Sequence, residues 1–449
     1  MDRVRRALAK VTGQALGPYQ SAVVRIGFAG TWLLFLLCEF PNRHQLYGPD
    51  GPWSWRLAER LVASNDAFSV LMWSSSTFWF ELVYAVAVLA SGLLLLGWRT
   101  RATSVVFMVG VLSLQNRSVF MGDGGDNVIH LMAVYLVLTR CAQVWSLDAR
   151  RARRRGSASA GAAGPVLWGV LGAVLAYGAV TGRFGAGWLA VFAALWAGPA
   201  LWWAADRHER SGGGPGEAAA AAAGEAPGGA AGAAPGEGDG ERAGERAVRR
   251  AGEGRAFLDV LANLLHNAGM LVIMAEVCLI YATAGWYKIQ GSRWQDGTAL
   301  YYPLRLDYFA PWPELSDVLA GSGVMVMLLS YGTVAVQVAF PFTLFNRRVK
   351  NVLLALMMLE HAGIAVLLGL PFFSLAMIAA DAVFLPTGFL LWVGARAVRG
   401  RSPARARPVP RAVARAVPGL RLLTPAPRTP AEPEAVERDG AVGAGGAGS

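Results

Sequence analysis

Long apolar blocks alternate with short polar ones along this chain. Runs of about 18 or more apolar residues recur, the length at which a helix spans a bilayer core. They predict membrane helices at 20–39, 78–97, 102–120, 127–146, 165–183, 186–204, 257–286, 320–345, 351–370 and 372–395. The expected fold is therefore all-α: a polytopic transmembrane helix bundle of about ten spans. The polar blocks WRTR (98–101), DARRARRRG (148–156) and NRRVKN (346–351) are basic, as is the tail from Arg396. With the N-terminus inside, all of them fall on the same side, as the positive-inside rule requires. Both termini are then cytoplasmic. The first apolar run contains Arg25 and ends without a small-residue cleavage site, so it is expected to be a retained helix and not a leader.

Two segments break the pattern. Residues 211–254 are Gly, Ala, Pro and Glu with almost no large apolar side chain, and such a composition cannot offset its ordering entropy. The region 205–256 is accordingly expected to be a disordered cytoplasmic linker. The Pro- and Arg-rich stretch 396–449 is expected to be a disordered tail, and 1–17 a cytoplasmic N-terminus. The pair 165–204 is nearly free of ionisable groups and predicts an extra transmembrane hairpin facing lipid.

Composition sharpens this. Hydrophobic residues make up 54% of the chain and the mean hydropathy is +0.39. The formal charge is +11, but the arginines cluster between apolar runs and in the tail, a loop distribution that argues against nucleic acid as a partner. The Ala-, Gly- and Arg-rich, Lys-poor usage points to a bacterial plasma membrane. Cys38, Cys141 and Cys278 lie far apart inside apolar runs, with neither disulfide nor metal spacing.

Ionisable residues inside spans are costly and tend to face a bundle interior. Under the expected topology Glu39, Glu81, Arg117, Asp123, Asp126, His130 and Lys288 fall near the outer ends of their helices. An outward-facing polar cavity around Lys288 is the expectation. Of 41 basic residues only Lys10, Lys288 and Lys350 are lysines. Arginine cannot release its proton in a protein, whereas a desolvated lysine can. Lys288 is then either a base or a lysine snorkelling to the interface. In SVFMGDGGDNVIH (118–130), Asp126, Asn127 and His130 either complete a capped hairpin or line a substrate site. His361 is either a functional group or a helix–helix hydrogen bond. Trp286 and Trp294 are either interfacial anchors or walls of the site.

Three stretches resemble a known family. They are NVIHLMAVYLVLTRCAQVWSLDARR (127–151), AGWYKIQGSRW (284–294) and EHAGIAVLLGLPFFSLAMIAAD (360–381). Together they resemble the HTTM-domain membrane proteins, relatives of the transmembrane domain of vitamin K-dependent gamma-carboxylase. The resemblance covers 18–150 and 257–395, as first and second sets of HTTM-like helices. It implies a lyase-type chemistry using a reduced naphthoquinone of the vitamin K type, oxygen and carbon dioxide. Lys288 would be the base and His361 an assisting group, both catalytic. Asp126, Asn127 and His130, with Trp286 and Trp294, would hold substrate, and no metal is implied. The carboxylase's large lumenal substrate-holding region has no counterpart here. The alternative is a non-catalytic membrane factor for maturation of, or immunity to, a secreted peptide. A transporter is disfavoured by the lack of an inverted repeat.

Overall fold

Helix boundaries follow the glycines and prolines that punctuate the apolar runs. In the computed structural model, which describes residues 2–154, 163–212 and 238–399, the described residues are helical and contain no strand. The longer helices are α1 (Asp2–Gly13), α2 (Pro18–Glu39), α3 (Trp55–Ser64), α4 (Thr77–Leu96), α5 (Thr100–Arg117), α6 (Gly124–Val137) and α7 (Leu147–Arg154). They continue with α8 (Ala163–Val180), α9 (Ala186–Gly212), α10 (Gly238–Gln290), α11 (Pro313–Gly321) and α12 (Gly323–Ala339). The last three are α13 (Arg347–Leu367), α14 (Pro371–Asp381) and α15 (Thr387–Arg399). Residues Met1–Ala395 form one compact unit, and a second begins at Arg396.

Among the described residues five helical stretches are long and apolar enough to cross a membrane: Pro18–Tyr47, Thr77–Leu96, Glu253–Gln290, Gly323–Thr343 and Arg347–Leu367. A sixth is the pair Pro371–Phe384 and Thr387–Ala397, bent by 115°. Pro386 explains the break, since it cannot donate to a continuing helix. Four of the ten expected spans are helical but fall short of this standard. Arg101, Gln115, Asn116 and Arg117 dilute α5, and α6 has only 14 residues. The apolar parts of the hairpin, Gly164–Val180 and Ala186–Leu201, are also short.

The expected linker is helical at both ends. Its first residues complete α9, and α10 begins at Gly238, well before the apolar run. Good helix formers (Glu, Arg, Ala) recur over 241–256 and support that extension. The middle of the linker, 213–237, and the tail beyond 399 lie outside the described residues.

Around α2 the packing is dense. α2, α4, α5 and α6 pack together, and α14 lies against both α2 and α6. The core here includes Phe28, Trp32, Tyr84, Phe107, Leu112 and Met132, all nearly inaccessible. Gly27 admits the close approach of α14: an added Cβ would stand 2.5 Å from that of Ala379. On its other side α14 packs on α13, which in turn meets α12, and α12 meets α10. This second set is looser. Half of the α2 window is buried inside the protein, against 22% for α12 and 17% for α13.

One buried cation ties the dense set together. Arg25 is fully inaccessible, and its guanidinium donates to the carbonyls of Leu94, of Leu95 at 2.8 Å, of Trp145 at 2.8 Å and of Cys141 at 3.3 Å. Leu94 and Leu95 belong to the last turn of α4, where carbonyls lack helical partners and a positive charge is favoured. The WSLD segment then closes the junction. Asp148 caps α5 by accepting from the backbone N–H of Arg99 and of Thr100, each at 2.9 Å. Gly97 sits in the left-handed region at φ 70°, and Ser146 presses so close that a Cβ there would clash.

Candidate functional site

Lys288 lies in the last turn of α10 and is half-buried. Its Nζ donates to Oε1 of Gln337 on α12 at 2.8 Å, and Nε2 of Gln337 donates to Oε1 of Glu360 on α13 at 2.6 Å. Three helices thus meet in one side-chain relay, with an amide set between the amine and the acid. Trp294, in the short turn Ser292–Gln295 that follows α10, places its ring 5.3 Å below the lysine Nζ. That is within reach of a cation–π attraction. Beyond it Asp296 is held below the usual carboxylate range, chiefly by the hydroxyl and N–H of Thr298, with a smaller part from Arg293.

A second group lies two turns back along α10. Tyr281 precedes Lys288 by seven residues, so both lie on one face, about 10 Å apart along the axis. The Tyr281 hydroxyl is 2.9 Å from His361 Nε2 and 3.0 and 3.1 Å from the two Asp381 oxygens. All three side chains are buried. The hydroxyl has one proton, and the carboxylate can only accept it. With Asp381 ionised, His361 Nε2 therefore donates to the tyrosine oxygen, which leaves Nδ1 of the neutral ring as a bare acceptor. That Nδ1 is buried and has no partner among the described residues. Glu360 and His361 are adjacent on α13, so the two groups approach each other through that helix.

The expected residues of the 118–130 stretch form a separate place. Asp123 and Asp126 make a reciprocal capping box at the start of α6. His130 Nδ1 is 2.8 Å from Gln115 Oε1, while Gln115 Nε2 donates to the Asp126 carbonyl at 2.8 Å. The Gln115 oxygen only accepts, so His130 donates from Nδ1 and keeps its Nε2 lone pair. Asp126, Asn127 and His130 line a cavity of about 160 Å³ together with Trp32, Phe35 and Tyr47. Phe373 on α14 joins the two places: it packs on Gly124 and Gly125 at the start of α6, and its ring is 5.5 Å from that of His361.

The structure therefore brings Lys288 and Trp294 together, sets His361 in a neighbouring group, and places Asp126, Asn127 and His130 around a different cavity. Trp286 is 63% exposed and takes part in none of these. The single polar cavity expected around Lys288 resolves into several separate clusters. Glu81, for example, pairs with Arg43 at 2.9 Å and His44 at 2.7 Å. His266 is satisfied on both nitrogens, accepting from the Arg140 N–H and donating to the Leu16 carbonyl, each at 2.8 Å.

Sequence reasoning did not select Tyr281, Gln337, Glu360 or Asp381 as site residues. The heptad spacing of Tyr281 from Lys288, and a single amide in the apolar run VAVQVAF, were the available signals. Among the described residues no group of three His, Cys, Asp or Glu side chains is placed to hold a metal ion. Comparison of the chain with protein-family models, with curated proteins and with solved structures yields no match.

Proposed function

We propose that this chain is a multi-pass plasma-membrane enzyme that performs proton transfer at Lys288 on a lipid-soluble reduced quinone, as the resemblance to HTTM-type proteins implies. The observation that carries the reading is the Lys288–Gln337–Glu360 relay beside the Tyr281–His361–Asp381 group. The amine is not locked to a carboxylate by direct contact; the Gln337 amide stands between them. A neutral amine so placed is a competent general base. The Trp294 face offers a wall for a planar ring, and the bilayer itself delivers apolar ligands to such a site. In this reading Lys288 and Trp294 would hold a reduced naphthoquinone. When bound, that group supplies, with oxygen, the strong base that removes a carbon-bound proton ahead of carbon dioxide uptake.

The chain's own part is to accept the hydroxyl proton at Lys288 Nζ and to hold it in the relay toward Glu360. His361 Nδ1 is the nearby vacant acceptor, and Asp381 balances its charge through Tyr281. Both termini and the basic loops lie on the cytoplasmic side in this reading.

The test uses full-length protein purified in detergent and supplied with reduced naphthoquinone and oxygen, with epoxide as the readout. Wild type should form epoxide, and Lys288→Ala and Lys288→Arg should not. Arginine keeps the charge and the reach but cannot deprotonate. Absence of epoxide from folded wild type would overturn the proposal in favour of a non-catalytic role with a secreted peptide, and its persistence in Lys288→Arg would overturn Lys288 as the base.

A further inference from the structure

The segment between α2 and α4 covers a second buried arginine. Arg117 ends α5, and only 1% of its surface is exposed. Its Nη2 donates to the carbonyls of Gly48 at 2.7 Å and Trp53 at 3.0 Å. A guanidinium has five N–H hydrogens. Two are used at Nη2, while Nε and Nη1, which carry the rest, are buried and have no acceptor among the described residues. No ion pair to Arg117 occurs among those residues either. Here Arg117 departs from Arg25, whose three nitrogens all find carbonyls.

A further donor belongs to one of the residues Arg117 grips. The indole Nε1 of Trp53, the residue whose carbonyl Arg117 grips, is also buried and unpartnered. The surroundings are aromatic. The Trp55 ring lies 5.5 Å from the guanidinium carbon, and Trp53 meets Phe120 edge-on at 4.7 Å. Gly48, whose carbonyl Arg117 holds, also lines a cavity of about 190 Å³ with His44, Asp50, Pro52 and Thr77.

Unsatisfied buried donors are costly, and a buried cation without a counter-charge more so. Every unfilled valence here is an N–H, and the charge to be balanced is a single positive one. We infer that Arg117 and Trp53 form a binding site for an organic monocarboxylate. One carboxylate supplies one negative charge and two acceptor oxygens, and an apolar body suits the Trp55 and Phe120 walls. A doubly charged phosphate would leave a negative charge uncompensated beside one guanidinium. This site is independent of Lys288 and of the quinone reading.

Equilibrium binding of benzoate, acetate and inorganic phosphate to the full-length protein in detergent tests the assignment. Wild type should bind benzoate saturably, acetate more weakly and phosphate not at all. Trp53→Phe keeps the ring and its Phe120 contact while removing the N–H, and should weaken benzoate binding about tenfold. Arg117→Gln should abolish it. If Arg117→Gln does not fold, Trp53→Phe alone decides. Lack of saturable benzoate binding to wild type would overturn the inference, the donors then being satisfied by water alone. Unchanged affinity in Trp53→Phe would do the same, and phosphate binding as tightly as benzoate would overturn the monocarboxylate class.

Discussion

Arg25 and the Tyr281–His361–Asp381 group are equally buried, yet they are built on opposite plans. Arg25 spends its donors on main-chain carbonyls from the end of α4 and from 141–145, all fixed by the helices that carry them. Its partners cannot titrate or turn away, so the result is a fastening. The Tyr281 group binds side chain to side chain across α10, α13 and α14, and one acceptor, His361 Nδ1, is left over. A group with a spare valence and three titratable members can take up and pass on a proton. Burial alone therefore does not separate structure from chemistry in this bundle; the identity of the partner does.

The contrast can be broken most severely at Arg25. Arg25→Met would take this donor from the carbonyls of Leu95, Cys141 and Trp145, and should cost about 3 kcal/mol or more of stability. Thermal unfolding in detergent would read this directly, and a variant as stable as wild type would dissolve the distinction. Asp381→Asn and Tyr281→Phe should act the other way. Epoxide formation should fall about 100-fold, against a smaller loss of about 1–3 kcal/mol of stability from the buried partners left unsatisfied. A large loss of stability without a specific loss of turnover would make this group a fastening too.

A smaller effect is expected where α14 meets α6. In Gly125→Ala the new Cβ would lie 2.6 Å from the Phe373 Cα, an overpacking that typically costs about 1–3 kcal/mol. Because Phe373 also packs on His361, turnover should drop with stability, as paired assays would show. The least effect belongs to Trp286→Phe, at an exposed position. It should stay within about 0.5 kcal/mol of wild type, whereas Trp294→Leu, under the Lys288 side chain, should lower turnover measurably.

Much of this architecture is legible in block hydropathy, since Gly17, Pro18 and Gly97 mark helix ends by local chemistry that any window can detect. Span number is less so. α5 reads as a span on its apolar centre, but polar residues at both ends shorten it, and the bend after α14 depends on Pro386 alone. The site was legible where residue choice was unusual, as with one lysine at the end of an apolar run and one histidine within another. Gln337 and Asp381 escaped because their meaning lies in partners more than 20 residues away. Asp148 shows the converse: WSLD is conspicuous in the sequence, yet its aspartate serves as a helix cap.

The uneven burial of the spans has one more consequence. Only 17% of the α13 window is covered by protein, so in a bilayer this helix would meet mainly acyl chains, and Glu360 and His361 are carried on it. In the proposed reading the solvent for the Lys288 half of the molecule would therefore be the lipid, while the Arg25 half supplies its own. Acyl-chain length and bilayer thickness then become variables of the site itself, and a short-chain detergent should loosen α12 and α13 long before it reaches α2.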